Sequence, residues 1–110
     1  MTFMSVYDVF SKSHDGTDSY VELIAGLNHL LNVDKNHAAI YFTLHGFAHS
    51  YVQLYSDQPV EPDFARRAKL ELQSYLDMAL PVFIESCQEK NKWEILNEII
   101  FNYQNSKKYF

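Results

Sequence analysis

The sequence predicts an all-α protein, a single compact bundle of about five to six helices around a central uncharged helix, with one domain over residues 1–110. The first observation is that apolar residues recur at spacings of three and four along most of the chain. The second is that neither alternating polarity nor an Asn-Gly turn indicates strands. The third is that only three Gly and three Pro occur, too few for a disordered chain. One core is expected, with a radius of gyration of roughly 13 Å.

Two capping boxes predict the first two helices. Ser5 and Asp8 form one box, in a short first helix. Ser19 and Glu22 form the other, after the turn residues 15–17, so the second helix is expected to begin at Ser19. One apolar stripe follows on this second helix, made of Tyr20, Leu23, Ile24, Leu27, Leu30 and Leu31.

The third helix is predicted by a segment without acidic or basic residues. Residues 36–56 contain no Asp, Glu, Lys or Arg, and Asp34 or Asn36 is expected to cap the helix. Its apolar residues fall on two faces, one with Phe47 and the other with Phe42, which is typical of a buried central helix. Its several His, Ser, Thr and Gln side chains argue against a membrane span.

Prolines mark the remaining helix ends. Pro62 is predicted at the first position of the fourth helix, where its missing N–H costs no hydrogen bond. Pro81 is expected to kink or end that helix, and Asn91 is expected to open a final one. The inward positions of the final helix are predicted as Trp93, Leu96, Ile100 and Tyr103. Residues 102–110 are expected to form a polar, frayed end.

The segment His45-Gly46-Phe47-Ala48-His49 is the one arrangement that suggests a metal. Two His four residues apart share a helix face, as in the zinc-protease helix. The glutamate that acts as general base in that motif is replaced by Gly46, so zinc-protease chemistry is not expected. His37 would add a third ligand only if all three rings were close in space. We interpret His45 and His49 as packed histidines, and predict no metal site and no cofactor.

Acidic residues are concentrated in two segments near helix starts, residues 15–22 and residues 57–63. The net charge is −5, which argues against nucleic acid as a partner because such binding needs a positive surface. Residues 1–65 hold eight acidic and two basic side chains. This pattern fits either helix-dipole complementation or a docking surface for a basic partner. The expected partner-binding residues are Asp15, Asp18, Tyr20, Glu22, Tyr55, Asp57, Glu61 and Asp63.

Two tyrosines and one basic cluster complete the expected surface. Tyr20 and Tyr55 border the acidic segments and are expected to face the partner, because tyrosine combines a large rigid ring with a polar tip. Arg66, Arg67 and Lys69 are interpreted as a solvated helix face paired with nearby acids.

No phosphate loop, nucleophile elbow or Cys-x-x-Cys motif is present, so the protein is not expected to be an enzyme.

In its size, its two acidic segments and its Tyr content, the chain resembles the bacterial immunity proteins of contact-dependent inhibition and colicin systems. The resemblance implies a specific protein-binding inhibitor that neutralises a cognate toxin by occluding the toxin's active site. The toxin that it implies is a basic nuclease domain, and neither nucleic acid nor a membrane is an expected partner. No site residue is carried over by a matching motif.

Two other functions remain open from the sequence. One is a small helical metalloprotein or enzyme that uses His45 and His49. The other is a phage-encoded inhibitor that mimics nucleic acid, which would share the acidic surface and differ in its target. With a single cysteine, Cys87, and no secretory signal at the N-terminus, a cytoplasmic location is expected.

Overall fold

The computed structural model is all-helical and describes residues 1–84, 87–107 and 109–110. No strand occurs in these residues, so the predicted all-α fold class is confirmed. The radius of gyration is 13.5 Å, close to the expected value. In chain order the helices are α1 (Phe3–Lys12), α2 (Thr17–Val33), α3 (Ala38–Tyr55), α4 (Pro62–Ala79) and α5 (Glu89–Gln104), with short 3₁₀ turns at Lys35–His37 and Leu80–Phe83.

The first two helices begin earlier than predicted. The capping box of α1 is formed by Thr2 and Ser5, because Ser5 N–H donates to Thr2 Oγ1 at 3.2 Å and Thr2 N–H donates to Ser5 Oγ at 3.1 Å. α2 begins at Thr17, and Ser19 does not cap it. The buried hydroxyl of Ser19 donates instead to the carbonyl of His14 at 2.7 Å. The first box was therefore predicted three residues too late, and the second is absent, because Gly16 is the N-cap of α2 and no side chain caps that helix.

Helices α2 and α3 form the most extensive helix contact of the bundle. Short connections make α1, α2 and α3 antiparallel neighbours, while α4 packs on α3 and α5 packs on α4. The loops 13–16 and 56–61 therefore lie at the end of the bundle where α2 begins. Residues 34–37 and the turn Leu80–Phe83 lie at the opposite end, where α2 finishes.

α3 is buried on one face only, which corrects the expectation of a central helix covered on most sides. Phe42, on the second predicted face, is 69% exposed, and Leu54 is also exposed. The neighbouring helices cover one side of α3, so apolar composition overstated its burial. The buried residues of α3 are Ile40, Tyr41, Leu44, Phe47, Ala48 and Tyr51. Within the described residues, no helix combines the length and apolarity that crossing a membrane requires.

α4 begins at Pro62, as predicted, and ends at Ala79. The chain then continues into the 3₁₀ turn that contains Pro81, so this proline ends the helix and does not kink it. The inward stripe of α5 differs from the prediction: Leu96 and Ile99 are buried, whereas Trp93 is 57% exposed and Ile100 is also exposed. α4 covers a face of α5 that is rotated away from these two side chains.

The end of the chain is packed, contrary to the expected frayed tail. Phe110 is buried, and its carbonyl accepts a hydrogen bond from the hydroxyl of Tyr103 at 2.8 Å. Its ring centroid lies 5.9 Å from that of Phe47 and 6.0 Å from that of Tyr51. Phe110 thus reaches the core between α3 and α4, and the neighbouring Tyr109 packs on Phe64 at a centroid distance of 5.1 Å.

Close packing of α1 on α2 depends on a glycine, which gives a testable prediction. A Cβ added at Gly26 would lie 2.8 Å from Cγ2 of Val6, and this short branched side chain has little freedom to move away. We expect Gly26→Ala to lower the free energy of unfolding by about 1–2 kcal/mol, measured by urea denaturation.

Gly46→Ala is the matched control, because nothing lies within 4 Å of a Cβ at this exposed position of α3. It is expected to raise the free energy of unfolding by about 0.5–1 kcal/mol, the usual gain of Ala over Gly in a helix. Equal effects of the two substitutions on the free energy of unfolding would show that the packing of α1 on α2 does not require a residue without a side chain at position 26.

Candidate functional site

The two acidic segments meet in one surface cleft at the end of the bundle where α2 begins. Asp15 and Asp57, which are far apart in the sequence, both line this cleft of about 370 Å³. We call it the acidic cleft, and its lining residues are Asp15, Gly16, Thr17, Tyr51, Tyr55, Asp57, Gln58, Val60, Pro62 and Ala65. None of these residues is basic. Lys12, the last residue of α1, is exposed and close to Asp15 in the sequence, but it does not line the acidic cleft.

A stack of two tyrosine rings brings the cleft's two loops together. The rings of Tyr20 and Tyr51 are nearly parallel, with centroids 4.2 Å apart and an interplanar angle of 16°. Tyr20 belongs to the first turn of α2, directly after the loop that carries Asp15, and Tyr51 lies one turn before Tyr55. The ring of Phe10 meets Tyr20 edge-on at 5.4 Å. The stack therefore fixes the start of α2 beside the end of α3.

This role overturns the expectation that Tyr20 faces a partner. Its side chain is 0% exposed, so it offers no surface to another protein. Burial, with a smaller effect of the neighbouring Tyr51, raises the pKa of the Tyr20 hydroxyl far above its ordinary value. The hydroxyl has no hydrogen-bond partner among the described residues. Tyr20 is a core residue of the apolar stripe of α2.

Tyr55 is the more exposed of the two tyrosines that line the acidic cleft, since Tyr51 is buried. It is half-buried, and its ring centroid lies 4.9 Å from that of Tyr51 and 5.2 Å from that of Phe64. These contacts hold the ring in place while part of it lines the cleft. A ring fixed in this way gives up little conformational entropy on binding, as expected of an interface anchor.

The other predicted acids differ in their surroundings. Asp18, in the first turn of α2, and Glu61, directly before α4, are exposed on the segments that form the cleft. Asp63 is paired instead: Arg66 Nη2 lies 2.7 Å from one carboxylate oxygen and Arg67 Nε lies 3.0 Å from the other. The hydrogen bond from Arg66 is the main reason that the pKa of Asp63 lies below its ordinary value.

Glu22 lies outside the acidic cleft. It lines a separate, mainly apolar groove between α1 and α2, together with Ser5, Val9 and Ala25. Its place in the sequence, close to Asp15 and Asp18, indicated a shared surface, but Glu22 lies one turn further along α2, away from the cleft, where it lines the groove against α1. The structure thus brings Asp15, Tyr55 and Asp57 together and separates Glu22 from them.

Lys69 corrects the expected solvated basic face. Only 8% of Lys69 is exposed, its ammonium donates to the carbonyl of Ser13, and the nitrogen lies 5.1 Å from the ring centroid of Phe10. Burial lowers the pKa of Lys69, and the charge of Asp15 opposes that change. Lys69 therefore ties α4 to the loop 13–16, whereas Arg66 and Arg67 are exposed and paired as expected.

The backbone at Asp57 also shapes the cleft. Its φ is 63°, in the left-handed region that Asp and Asn tolerate better than most other residues with a side chain. A substitution of Asp57 in an experiment should therefore be Asn, because a lysine or a branched residue would add backbone strain to the loss of charge.

The pair His45 and His49 supplies two imidazoles on neighbouring turns of α3. The ring centroids are 5.7 Å apart, and the planes differ by 12°. Burial, and then the nearby His49, lowers the pKa of His45. In the part of the chain that the structure describes, no group of three or more His, Cys, Asp and Glu side chains is placed to hold a metal ion. No observation therefore favours the metalloprotein alternative.

A second polar cluster lies where α2 finishes, and the sequence reading missed it. Asp34 Oδ2 accepts a hydrogen bond from the hydroxyl of Tyr41 at 2.7 Å and lies 2.7 Å from Nδ1 of His37. Nε2 of His37 is 3.2 Å from the ammonium of Lys92. The spacing of Asp34, His37 and Tyr41 at three and four residues could have indicated from the sequence that these side chains lie together. The contribution of Lys92 could not be predicted in this way, because it lies on the distant helix α5.

Hydrogen bonds to Asp34 give a testable dependence of stability on pH. Burial acts to raise the pKa of Asp34, but the hydrogen bonds from Tyr41 and His37 outweigh it and hold the pKa below the ordinary 3.8. Because the folded pKa is the lower one, the ionised carboxylate stabilises the fold above pH about 4, and this stabilisation is lost as the pH falls through the folded pKa.

We expect Asp34→Asn to reduce the difference between the free energies of unfolding at pH about 7 and pH about 3, measured by urea denaturation. Tyr41→Phe, which removes one donor to the carboxylate, should reduce that difference less. If Asp34→Asn showed the same difference between the two free energies of unfolding as the wild-type protein, the carboxylate would not interact with Tyr41 and His37 in solution.

Comparisons with known proteins leave the site to be interpreted from this chain alone. No protein-family model matches the chain, and no curated protein or solved structure is significantly similar to it. What the geometry offers is a concave surface with two exposed carboxylates, those of Asp15 and Asp57, beside the partly exposed ring of Tyr55, and no basic residue in the lining. Such a surface attracts positively charged macromolecules and can bind them specifically.

Proposed function

We propose that this chain is a specific protein-binding inhibitor, an immunity protein that neutralises a cognate bacterial toxin by covering its active site. The observation that supports the proposal is the acidic cleft, in which Asp15 and Asp57 lie around Tyr55 with no basic residue in the lining. We further propose that it acts in the cytoplasm, in keeping with its single cysteine.

The proposed partner is a basic nuclease domain. A nuclease that binds phosphates needs positive charge around its substrate site, and the carboxylates of the acidic cleft would take the place of those phosphates. Clustered charge of this kind accelerates encounter and rejects partners of the same sign. Tyr55 would supply the apolar contact at the centre, where interfaces concentrate their binding energy.

The contributions of the individual acids are expected to differ. Asp15, Asp18, Asp57 and Glu61 are exposed and form no ion pair among the described residues, so their charge is available to a partner, although the nearby Lys69 offsets part of the charge of Asp15. Asp63 is already compensated by two arginines. We therefore expect the first four carboxylates to produce most of the attraction.

A charge-neutralising variant tests the proposal. The triple variant Asp15→Asn, Asp57→Asn and Glu61→Gln removes three carboxylates and keeps a residue at position 57 that tolerates its backbone conformation. Its association with the purified nuclease domain of the cognate toxin, sought first in the product of the adjacent gene, is measured by stopped flow. We expect the rate constant to fall about tenfold at about 0.05 M salt, and the difference to shrink at about 0.5 M salt, where the charges are screened.

The matched control removes the same charge elsewhere. Glu22→Gln, Glu94→Gln and Glu98→Gln replace three exposed carboxylates that lie outside the acidic cleft, and we expect the association rate to change less than about twofold. Equal slowing of the two triple variants would show that only net charge matters. If the wild-type protein neither binds that domain nor inhibits its nuclease activity, the proposed function is wrong.

A further inference from the structure

The cavity beside Asp34, His37 and Lys92 is the strongest feature that the proposed function does not use. It has a volume of about 650 Å³, within the range of about 300–1,000 Å³ that is usual for small-molecule sites. It lies where α2 finishes, so the length of that helix, roughly 25 Å, separates it from the acidic cleft. We propose that it binds a small amphipathic carboxylic acid, with an aromatic or branched aliphatic body in the cavity and its carboxylate on Lys92.

The walls of the cavity favour an apolar body. Side chains from α1, α2 and the turn Leu80–Phe83 line it, among them Phe3, Val33, Leu80 and Phe83. The rings of Phe3 and Phe83 stack on each other with centroids 4.3 Å apart, which gives the wall a fixed shape. Val33, by contrast, is largely exposed at the cavity. A ligand body that covers it would remove apolar surface from water.

Lys92 provides the position for the carboxylate. Its side chain is 21% exposed, and its ammonium lies 3.2 Å from Nε2 of His37 and 3.5 Å from Oε1 of Glu89. An imidazole nitrogen that accepts a hydrogen bond does not neutralise the positive charge. Glu89 forms an ion pair with Lys92, but its carboxylate is 76% exposed and 3.5 Å away, and ion pairs of such exposed groups are weak. An ammonium has three N–H donors, so one is left to bind a ligand carboxylate at the cavity wall.

Asp34 does not make the cavity a site for cations. Its Oδ2 atom already lies 2.7 Å from both the hydroxyl of Tyr41 and Nδ1 of His37, so these donors stabilise its negative charge. By accepting the Nδ1 proton, Asp34 also leaves Nε2 of His37 free to accept from Lys92. Asp34, His37 and Lys92 thus form a chain of hydrogen bonds that positions the Lys92 ammonium at the cavity.

Three probes with the same body and different head groups test the proposal on the whole protein. Phenylpropanoate, phenylpropanamide and phenylpropylamine are titrated in turn, and binding is measured from amide chemical shifts. We expect phenylpropanoate to bind with a dissociation constant on the order of 1 mM, and the amide and amine to bind at least about fivefold more weakly. The shift changes should concentrate in residues 33–37 and 80–84.

Variants at two lysines of α5 assign the head-group preference. Lys92→Met keeps an apolar side chain of similar length and removes the charge, so phenylpropanoate should bind no better than phenylpropanamide. Lys92→Arg keeps a positive charge and should keep the preference, which guards against an effect of misfolding. Lys90→Met is the control, because Lys90 is 81% exposed and its loss alters net charge equally; it should leave the affinities unchanged.

The outcomes that would overturn the proposal are distinct. Tightest binding of phenylpropylamine would mean that Asp34 is the recognised group, and equal binding of the three probes would mean that no head group is recognised. Absence of saturable shifts up to about 10 mM, or an unchanged preference in Lys92→Met, would also refute it. None of these measurements involves a toxin domain, so they stand or fall independently of the proposed inhibitor function.

Discussion

The stack of Tyr20 on Tyr51 is the contact on which the arrangement of the acidic residues depends. With 4.2 Å between the ring centroids, it fixes the first turn of α2 against the last turns of α3. The loop that carries Asp15 directly precedes the first turn of α2, and the loop that carries Asp57 directly follows the last turn of α3, so the two loops meet. The buried hydroxyl of Tyr20 has no partner in the described chain, a cost of about 1–3 kcal/mol that the ring contacts must offset.

The same pair of helices produces different chemistry at its other end. Where α2 finishes, the ring of Phe83 stacks on Phe3 and lies 5.6 Å from Tyr41, which holds the turn after α4 against the start of α1. That packing leaves a mainly apolar cavity with the ammonium of Lys92 at its wall. One end of the molecule thus presents exposed carboxylates, and the other an apolar cavity beside an ammonium.

Periodicity and proline chemistry predicted most of the fold because they act within a few residues. Pro62 begins α4 since its fixed φ and missing N–H suit only that position. Long-range contacts were not readable in this way. The burial of Tyr20 depends on its contact with Tyr51 in α3. The burial of Lys69 depends on a carbonyl in the loop between α1 and α2. The exposure of Trp93 depends on which face of α5 is covered by α4. The acidic cleft was predicted as a shared surface, but which acids it contains depended on these contacts.

The most direct test of the account is whether the two acidic loops are neighbours in solution. A nitroxide spin label is attached at Gln58→Cys, in a protein whose native cysteine is replaced by Cys87→Ser, and the broadening of amide resonances is recorded. The account predicts strong broadening for residues 15–17 and none for Asn36, at the other end of α2. Sharp resonances for residues 15–17 would contradict it, because the carboxylates would then not share one surface.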